Sequence, residues 1–234
     1  AEVVLRRAGA CDTLHVATVP YGNVSPLYDP AQLTQPPFRL LADSVGYIYA
    51  GTFSREHLAE VGQTLPRTRA LIIDLRTYPL NVADALIALI GQSLRTEHPT
   101  LALPGLFFRQ EQWIYEGFGE EAKRCAEPYK GRVILLVNEL TQSNPEFQAM
   151  ALQRCPQTLT IGSPTSGADG DIVRIPLPGG LMTCFSGIGV FYPDGTPTQA
   201  VGVRLDVELC PTAEGLQAGR DEVLERALSL AAGD

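Results

Sequence analysis

Short apolar runs alternate with amphipathic segments along most of the chain. Two of these runs, Ala70–Leu75 and Val133–Val137, are almost continuously apolar and rich in branched side chains, which is typical of strands buried on both faces of a sheet. Predicted helices cover Arg55 to about Leu65, Asn81–Leu94, Asn144 to near Cys155, and Asp221–Ala231. Because strands and helices alternate, the pattern predicts an α/β core with parallel strand pairing.

Shorter strand patterns occur on both sides of this core. They cover Val3–Arg7, Thr13–Val19, two strands within Phe38–Ala50, Thr158–Ile161, the predicted hairpin Asp171–Leu177 with Leu181–Phe185, Ile188–Phe191 and Leu205–Leu209. Residues 20–37 contain five prolines and little periodic pattern, which predicts a linker. The pattern therefore predicts an N-terminal hairpin at 1–19, a linker at 20–37 and a core domain at 38–234.

Composition narrows the class of protein. The chain has 234 residues, of which 45% are hydrophobic and 19% charged, enough for one large domain, or one domain and a fragment. A net charge of −8 argues against binding to nucleic acid or to an anionic membrane. The five cysteines form no CxxC or Cys/His cluster, so we expect neither a metal nor another cofactor. The chain begins at Ala1 without a methionine, so we expect a mature or excised form.

The stretch from Gly131 to Gly170 carries the candidate chemistry. A buried strand is followed by a polar elbow, and Pro145 suits the first turn of the next helix. Ser143 thus precedes a helix N-terminus, where unpaired N–H groups favour negative charge. Its hydroxyl is either a helix cap or a nucleophile beside an oxyanion site.

Five sequence blocks, in order, resemble the C-terminal-processing serine peptidases, which include tail-specific protease and the tricorn core. They are Val45–Tyr49, Leu71–Arg76, Thr141–Glu146 with its Ser-x-x-Glu motif, Ile161–Gly167 with its Gly-x-x-Thr-x-Gly loop, and the closing pair Tyr192–Gly195 and Gly202–Asp206. The resemblance runs from about Phe38 to the C-terminus. It implies a ClpP/crotonase-like β–α superhelix with Ser143 as nucleophile. It also implies that the hairpin at 1–19 is a remnant of a PDZ-like module, the alternative being a hairpin that belongs to the core.

The chain departs from the family where a base should activate the serine. In the lysine-dependent branch a lysine directly follows the Gly-x-x-Thr-x-Gly loop, and Ala168 stands there; Ile172 stands in place of the associated glutamine. Such a Ser/Lys dyad is therefore absent. In the tricorn-like branch a histidine from an upstream region is the base, and an acidic residue orients it; Gln199 occupies about that acidic position. The resemblance thus implies a base supplied from outside this chain.

The remaining site residues have less specific signals. The resemblance implies oxyanion donors at the Asn144 N–H and, where the family usually has Gly-Gly, at the Leu80 N–H. Glu146 is predicted as a helix-capping carboxylate or an anchor behind the serine. Of the three histidines, His15, His57 and His98, each is more often structural than catalytic, and His57 is the best candidate base among them.

Three functions follow. The first is a serine endopeptidase that cleaves peptides or proteins near their C-termini, exported to the periplasm or cell envelope as the resemblance implies. The second is a catalytically inactive, peptide-binding relative, indicated by the missing lysine, the missing Gly-Gly and Gln199. The third and weakest is a crotonase-like acyl-CoA enzyme, since that superfamily shares the superhelix; the sequence shows no basic site for nucleotide phosphates. The oligomeric state stays open.

Overall fold

A computed structural model describes residues 2–7, 10–18, 34–41, 44–80, 83–90, 100–104, 113–117 and 129–233. The chain divides into two units, Ala1–Gln32 and Leu33–Asp234. The strands are β1 Glu2–Arg7, β2 Ala10–His15, β3 Phe38–Leu41, β4 Val45–Tyr49, β5 Ala70–Asp74, β6 Thr100–Pro104, β7 Trp113–Gly117, β8 Arg132–Val137, β9 Thr158–Gly162, β10 Ile172–Leu177, β11 Leu181–Ser186, β12 Gly189–Phe191 and β13 Val207–Glu208. The α-helices are α1 Leu58–Thr64, α2 Ala83–Ile90, α3 Asn144–Leu152, α4 Ala213–Gln217 and α5 Glu222–Ala232.

In the first unit β1 and β2 form an antiparallel hairpin, with Glu2 opposite His15. The second strand was predicted over Thr13–Val19, and it instead covers Ala10–His15. The ladder between β1 and β2 ends at the pair Glu2 and His15, so the second strand ends at His15. The hairpin itself is confirmed, whereas its origin in a PDZ-like module stays a prediction. The predicted linker lies mostly outside the described residues.

The second unit is built on a six-stranded sheet with the order β13-β9-β8-β5-β4-β3. The pairs β4–β5, β5–β8, β8–β9 and β9–β13 are parallel, and only β3 runs antiparallel, at one edge. This confirms the predicted α/β fold with parallel pairing. The carboxyl ends of β5 and β8 therefore lie side by side, and the segments that leave them meet at one edge of the sheet.

Side chains of the central strands alternate between two buried layers. On one face, Ile73 and Leu135 pack in a layer with residues of α1, α2 and α3. On the other face, Ile72 and Ile134 pack in a layer with residues of α5. The sheet is thus covered on both faces, which explains why its central strands have continuous apolar sequences.

Several predicted boundaries are wrong. The helix predicted from Arg55 to about Leu65 is divided into a 3₁₀ turn, α1 and a second 3₁₀ turn at Leu65–Arg67, whose second residue is a proline. The strand predicted over Leu205–Leu209 is reduced to β13, which pairs with the last two residues of β9. Helix α4 was not predicted. The predicted hairpin after residue 171 is confirmed as β10–β11, with Ile172 opposite Ser186.

None of the helices in the described ranges is long and apolar enough to cross a membrane.

Candidate active site

Ser143 lies between the end of β8 and the first residue of α3, in a backbone conformation that few non-glycine residues adopt. Its φ is 64° and its ψ is −119°. This left-handed φ is strained for a residue with a Cβ, and such strain persists only where surrounding contacts fix the backbone. Ser143 is the N-cap residue of α3, so its side chain lies at the N-terminus of this helix.

Thr141 fixes the elbow on the side of the sheet. Its hydroxyl is fully buried, accepts the N–H of Asn138 (3.0 Å) and donates to the carbonyl of Leu75 (2.9 Å), which directly follows β5. The N–H of Thr141 donates to the carbonyl of Asn138 at 2.9 Å. Hydrogen bonds within the elbow therefore fix its conformation, and one further hydrogen bond joins it to the residue after β5.

Glu146 fixes the elbow on the side of the helix. Its carboxylate is fully buried and accepts four hydrogen bonds. Oε2 accepts the N–H groups of Ser143 (2.9 Å) and Ala168 (3.0 Å), and Oε1 accepts the Thr165 hydroxyl (2.7 Å) and the Gly167 N–H (2.8 Å). Glu146 thus caps α3 and also anchors the segment 163–170, which we call the glycine–threonine loop.

The two predicted oxyanion donors lie on adjoining segments. The side-chain amide of Asn144 donates from Nδ2 to the carbonyl of Pro79 (3.4 Å). The side-chain amide of Gln148 donates from Nε2 to the carbonyl of Leu80 (3.1 Å). The chain after β5 therefore lies along the first turns of α3, where the initial N–H groups of a helix have no intrahelical acceptor. The side chain of Leu80 is 46% exposed, so its packing constrains the backbone little.

Gln148 was not recognised in the sequence. Its amide also donates to Oδ1 of Asn144 at 3.3 Å, which couples the first turn of α3 to the loop after β5. The spacing of four residues between Asn144 and Gln148 on a predicted helix was the signal that could have identified it.

The position of the missing lysine is taken by Ala168, and the next residue, Asp169, is buried. Only 5% of Asp169 is exposed. Its Oδ1 accepts the Gly170 N–H at 2.7 Å, while its buried Oδ2 has no hydrogen-bond partner among the described residues. Burial raises the pKa of Asp169 to about 7, and the nearby acidic groups of Glu146 and Asp171 add to this effect.

Gln199 lies next to Asp169, but its amide is bound to backbone groups. Its Nε2 donates to the carbonyls of Asp169 (2.9 Å) and Ile188 (2.7 Å), and its Oε1 accepts the N–H of Val190 (3.0 Å). In this structure Gln199 joins the glycine–threonine loop to β12. Its role in orienting a base stays a prediction.

His57 lies at the start of α1, where its Nδ1 is 3.0 Å from both the N and the Oγ of Ser54. Its ring also contacts Phe53, with 5.6 Å between the ring centroids. These contacts are those of a helix-capping side chain, and Ser143 is not among them. His57 as a base stays a prediction, and His98 lies outside the described residues.

A separate ionic network lies where β5 ends. Arg76 donates to Oδ2 of Asp74 (2.7 Å) and to both carboxylate oxygens of Asp221 (2.8 and 2.7 Å), the N-cap of α5. The hydroxyl of Tyr47 donates to Asp74 at 2.7 Å. Asp74 and Arg76 therefore form an ion pair within this network. The described ranges contain no group of three His, Cys, Asp or Glu residues that could hold a metal ion.

The family to which the chain belongs is identified by comparison with known protein families. The profile of peptidase family S41 matches residues 44–209, and the chain belongs to this family. The members of this family are classed as peptidases, which are hydrolases.

Solved structures share the fold. A structure assigned as a peptidase from Parabacteroides merdae ATCC 43184 is 21% identical, with a TM-score of 0.65 over 83% of this chain and 63% of its own. Mature CPAF complexed with lactacystin is 16% identical, with a TM-score of 0.63 over 84% of this chain and 55% of its own. A structure assigned as an S41 protease from Bacteroides fragilis NCTC 9343 is 15% identical, with a TM-score of 0.55 over 99% of this chain and 65% of its own. The chain thus spans less than two thirds of each of these structures. No curated protein matches the chain.

Proposed function

We propose that this chain is the core of a serine endopeptidase of the C-terminal-processing, tricorn-like kind, in which Ser143 is the nucleophile. The observation that carries the proposal is the strained backbone of Ser143 at the N-terminus of α3, with its N–H bound by the buried Glu146 at 2.9 Å. A strained turn between strand and helix exposes a hydroxyl where developing negative charge meets unpaired N–H groups.

The reaction consists of two acyl transfers. The Ser143 oxygen attacks a peptide carbonyl and passes its proton to a base, and the carbonyl oxygen receives hydrogen bonds from the N–H groups of Asn144 and Leu80. The amine leaves with a proton from the same base. Water then hydrolyses the acyl-enzyme and restores the Ser143 hydroxyl.

The base comes from outside this chain. Ala168 carries only a methyl group where a lysine would stand, and the Nδ1 of His57 lies against Ser54. A serine hydroxyl is a weak nucleophile without a base, and general base assistance contributes roughly 10²–10⁴-fold. The substrates proposed are peptides or C-terminal segments of proteins, and the proposed location is the periplasm or cell envelope.

The test compares peptide hydrolysis by the full-length protein with that by its Ser143→Ala variant. We expect hydrolysis by the parent and its loss in the variant, with an unchanged far-UV spectrum and melting temperature. Ser166→Ala is the matched control, since Ser166 is an exposed serine of the neighbouring glycine–threonine loop whose hydroxyl bonds the Thr141 carbonyl. Equal hydrolysis by parent and Ser143→Ala would refute the proposal.

A second function, an inactive peptide-binding relative, is favoured by one observation. Gln199 stands where the tricorn-like branch has an acidic residue. Both polar atoms of its side-chain amide form hydrogen bonds to backbone groups. Such a protein would bind extended peptides by strand addition without cleaving them. It predicts peptide binding by the full-length protein, no turnover, and equal affinity in the Ser143→Ala variant.

A further inference from the structure

The hairpin of β10 and β11 exposes many apolar side chains. Every residue of both strands is exposed, and the strands form a two-stranded sheet to which the described residues add no third strand. The large apolar side chains are 40–65% exposed, and they are Ile172, Val173, Ile175, Leu177, Leu181, Met182 and Phe185. A two-stranded sheet by itself is only marginally stable in water, so a surface that covers this hairpin would stabilise it.

The two faces of the hairpin differ in composition. Side chains of alternate residues lie on the same face of a strand. The register therefore places three cross-strand pairs on one face, which we call the apolar face: Val173 with Phe185, Ile175 with Thr183, and Leu177 with Leu181. Arg174, the only charged residue between positions 172 and 186, lies on the opposite face with Cys184. The apolar face thus carries five large apolar side chains, one hydroxyl and no charge.

The base of the hairpin is attached to the rest of its unit. The N–H of Gly187 donates to the carbonyl of Asp171 at 2.6 Å. The side-chain amide of Gln199 donates to the carbonyls of Asp169 (2.9 Å) and Ile188 (2.7 Å). These hydrogen bonds join the segment that enters the hairpin to the segment that leaves it. The hairpin is therefore ordered before a partner binds, which lowers the entropic cost of association.

The charge and the size of the apolar face indicate a second copy of the chain as its partner. The chain has a net charge of −8, so two copies associate most readily through a surface without charged groups. The five apolar side chains expose roughly 500 Å² per copy, and two copies would together bury about 1,000 Å², the lower limit of specific interfaces. Interfaces between identical subunits are also more apolar than other protein–protein interfaces.

We propose that the apolar face is a homodimer interface, in which two copies of the chain pack their hairpins face to face about a two-fold axis. Such an axis brings the same face of each copy into the contact, and stacked sheets lie about 10 Å apart. The proposal goes beyond the proposed peptidase function and does not depend on it. Because the interface is small, the dissociation constant is expected to be roughly 1–100 µM.

Sedimentation equilibrium tests the proposal on the 234-residue chain and on the full-length protein. Protein concentrations from about 1 µM to about 200 µM span the expected dissociation constant. Phe185→Glu places a carboxylate within the interface and is expected to raise the dissociation constant roughly 30-fold or more. Met182→Glu is the matched control, since it places the same charge on the opposite face of the same strand and should leave the dissociation constant near that of the parent.

Three results of this experiment would overturn the proposal. The first is a parent that stays monomeric at the highest concentration in either protein. The second is an unchanged dissociation constant in Phe185→Glu, which would place the dimer interface elsewhere. The third is an equal weakening by Met182→Glu, which would show that the effect of the charge does not depend on the face.

A second measurement covers the case in which Phe185→Glu does not fold. Thr183→Cys introduces a thiol on the apolar face, and the native Cys184 next to it lies on the opposite face and is exposed. The rate of alkylation of each thiol by iodoacetamide is followed by peptide mass spectrometry. We expect alkylation of the introduced thiol to slow as the protein concentration passes through the dissociation constant, and that of Cys184 to stay the same. A rate for the introduced thiol that does not depend on concentration would overturn the proposal; if that rate is slow throughout, another part of the same protein covers the face.

Discussion

The N–H of Ser143 donates to Oε2 of Glu146 at 2.9 Å, and this oxygen also accepts the N–H of Ala168 at 3.0 Å. One buried carboxylate therefore holds the proposed nucleophile and the glycine–threonine loop in a fixed relation. The strain of the left-handed Ser143 backbone costs about 1–3 kcal/mol and must be offset by such contacts. The relation between Ser143 and Glu146 is thus both a folding contact and a condition of the proposed chemistry.

Replacement of Glu146 tests this relation. In Glu146→Gln one acceptor oxygen becomes an NH₂ group that faces N–H donors, so at least two of the four hydrogen bonds are lost in a fully buried place. We expect the free energy of unfolding to fall by roughly 2–4 kcal/mol, measured by urea denaturation. The control is Glu139→Gln, an exposed glutamate that accepts a single bond from Ser163. Equal denaturation midpoints for Glu146→Gln and the control would contradict the account.

The second oxyanion donor is tested at Leu80. Leu80→Pro removes the backbone N–H, whereas Leu80→Ala removes only the 46% exposed side chain and keeps that N–H. We expect Leu80→Pro to lower kcat for peptide hydrolysis by the full-length protein roughly 10²–10³-fold, the usual effect of losing one oxyanion donor. Leu80→Ala should stay near the parent. If kcat falls as much in Leu80→Ala as in Leu80→Pro, the second oxyanion donor is not the Leu80 N–H.

The pH dependence of stability follows from Asp169. Because burial raises its folded pKa from 3.8 to about 7, the folded state holds a proton between these two values that the unfolded state has released. The free energy of unfolding of the 234-residue chain should therefore fall as the pH rises from about 4 to about 7. At ~1.4 kcal/mol for each pH unit, the contribution from this group is at most about 4 kcal/mol. Asp169→Asn cannot ionise, and it should be more stable than the parent at pH 8.

Denaturant titrations of the parent and Asp169→Asn at pH 5 and pH 8 check this prediction. The difference between the two proteins should grow in favour of the variant at the higher pH. A pH-independent difference between the two proteins would mean that Asp169 titrates normally in the folded state.

The pH dependence of stability expected from Asp221 has the opposite sign to that expected from Asp169. Burial by itself raises its pKa, but hydrogen bonds from Arg76 and from the Leu224 N–H outweigh this and lower it. Stability from Asp221 is therefore present above the ordinary carboxyl pKa and is lost as the pH falls through the lower folded value. Because the side chain of Asp221 is 40% exposed, Asp221→Asn should lower the free energy of unfolding by only about 1 kcal/mol at pH 7. The loss should be still smaller at pH 3.

Asp221→Ala is the comparison, since Asn can still cap α5 and Ala cannot. The Ala variant additionally loses the acceptor for the Leu224 N–H, at 3.0 Å, which is worth about 1 kcal/mol at a helix N-cap. Thermal melts at both pH values separate the ion pair from the cap. Equal effects of the two variants at pH 7 would show that the cap contributes nothing, and an unchanged melting temperature for Asp221→Asn would show that the Arg76 contact contributes nothing.

Periodicity predicted the core of this fold because the physics that buries it is local. β5 and β8 were identified from continuous branched apolar runs, which only strands buried on both faces require. Their parallel order followed from the helices between them. In contrast, the division around α1 was missed because apolar spacing does not distinguish an α-helix from flanking 3₁₀ turns.

The sequence motifs of the candidate site could be predicted, but the contacts between residues distant in the sequence could not. The Ser-x-x-Glu spacing identified Ser143 and Glu146, since a capping residue and the third helical position lie together. The other donors to Glu146, at Thr165, Gly167 and Ala168, are about twenty residues away along the chain. The burial of Asp169 likewise depends on its packing near Gln199 and Glu146, which are distant from it in the sequence.

The most direct test of the central claim is labelling by a fluorophosphonate serine probe, with the modified residue located by peptide mass spectrometry. It is carried out on the 234-residue chain, on the full-length protein and on Ser143→Ala and Ser166→Ala variants of the latter. We expect Ser143 to be labelled in the full-length protein and in Ser166→Ala. Labelling should be lost in Ser143→Ala and be much slower in the 234-residue chain. No labelling of Ser143 in the full-length protein, or equal labelling in Ser143→Ala, would contradict the assignment of Ser143 as the nucleophile.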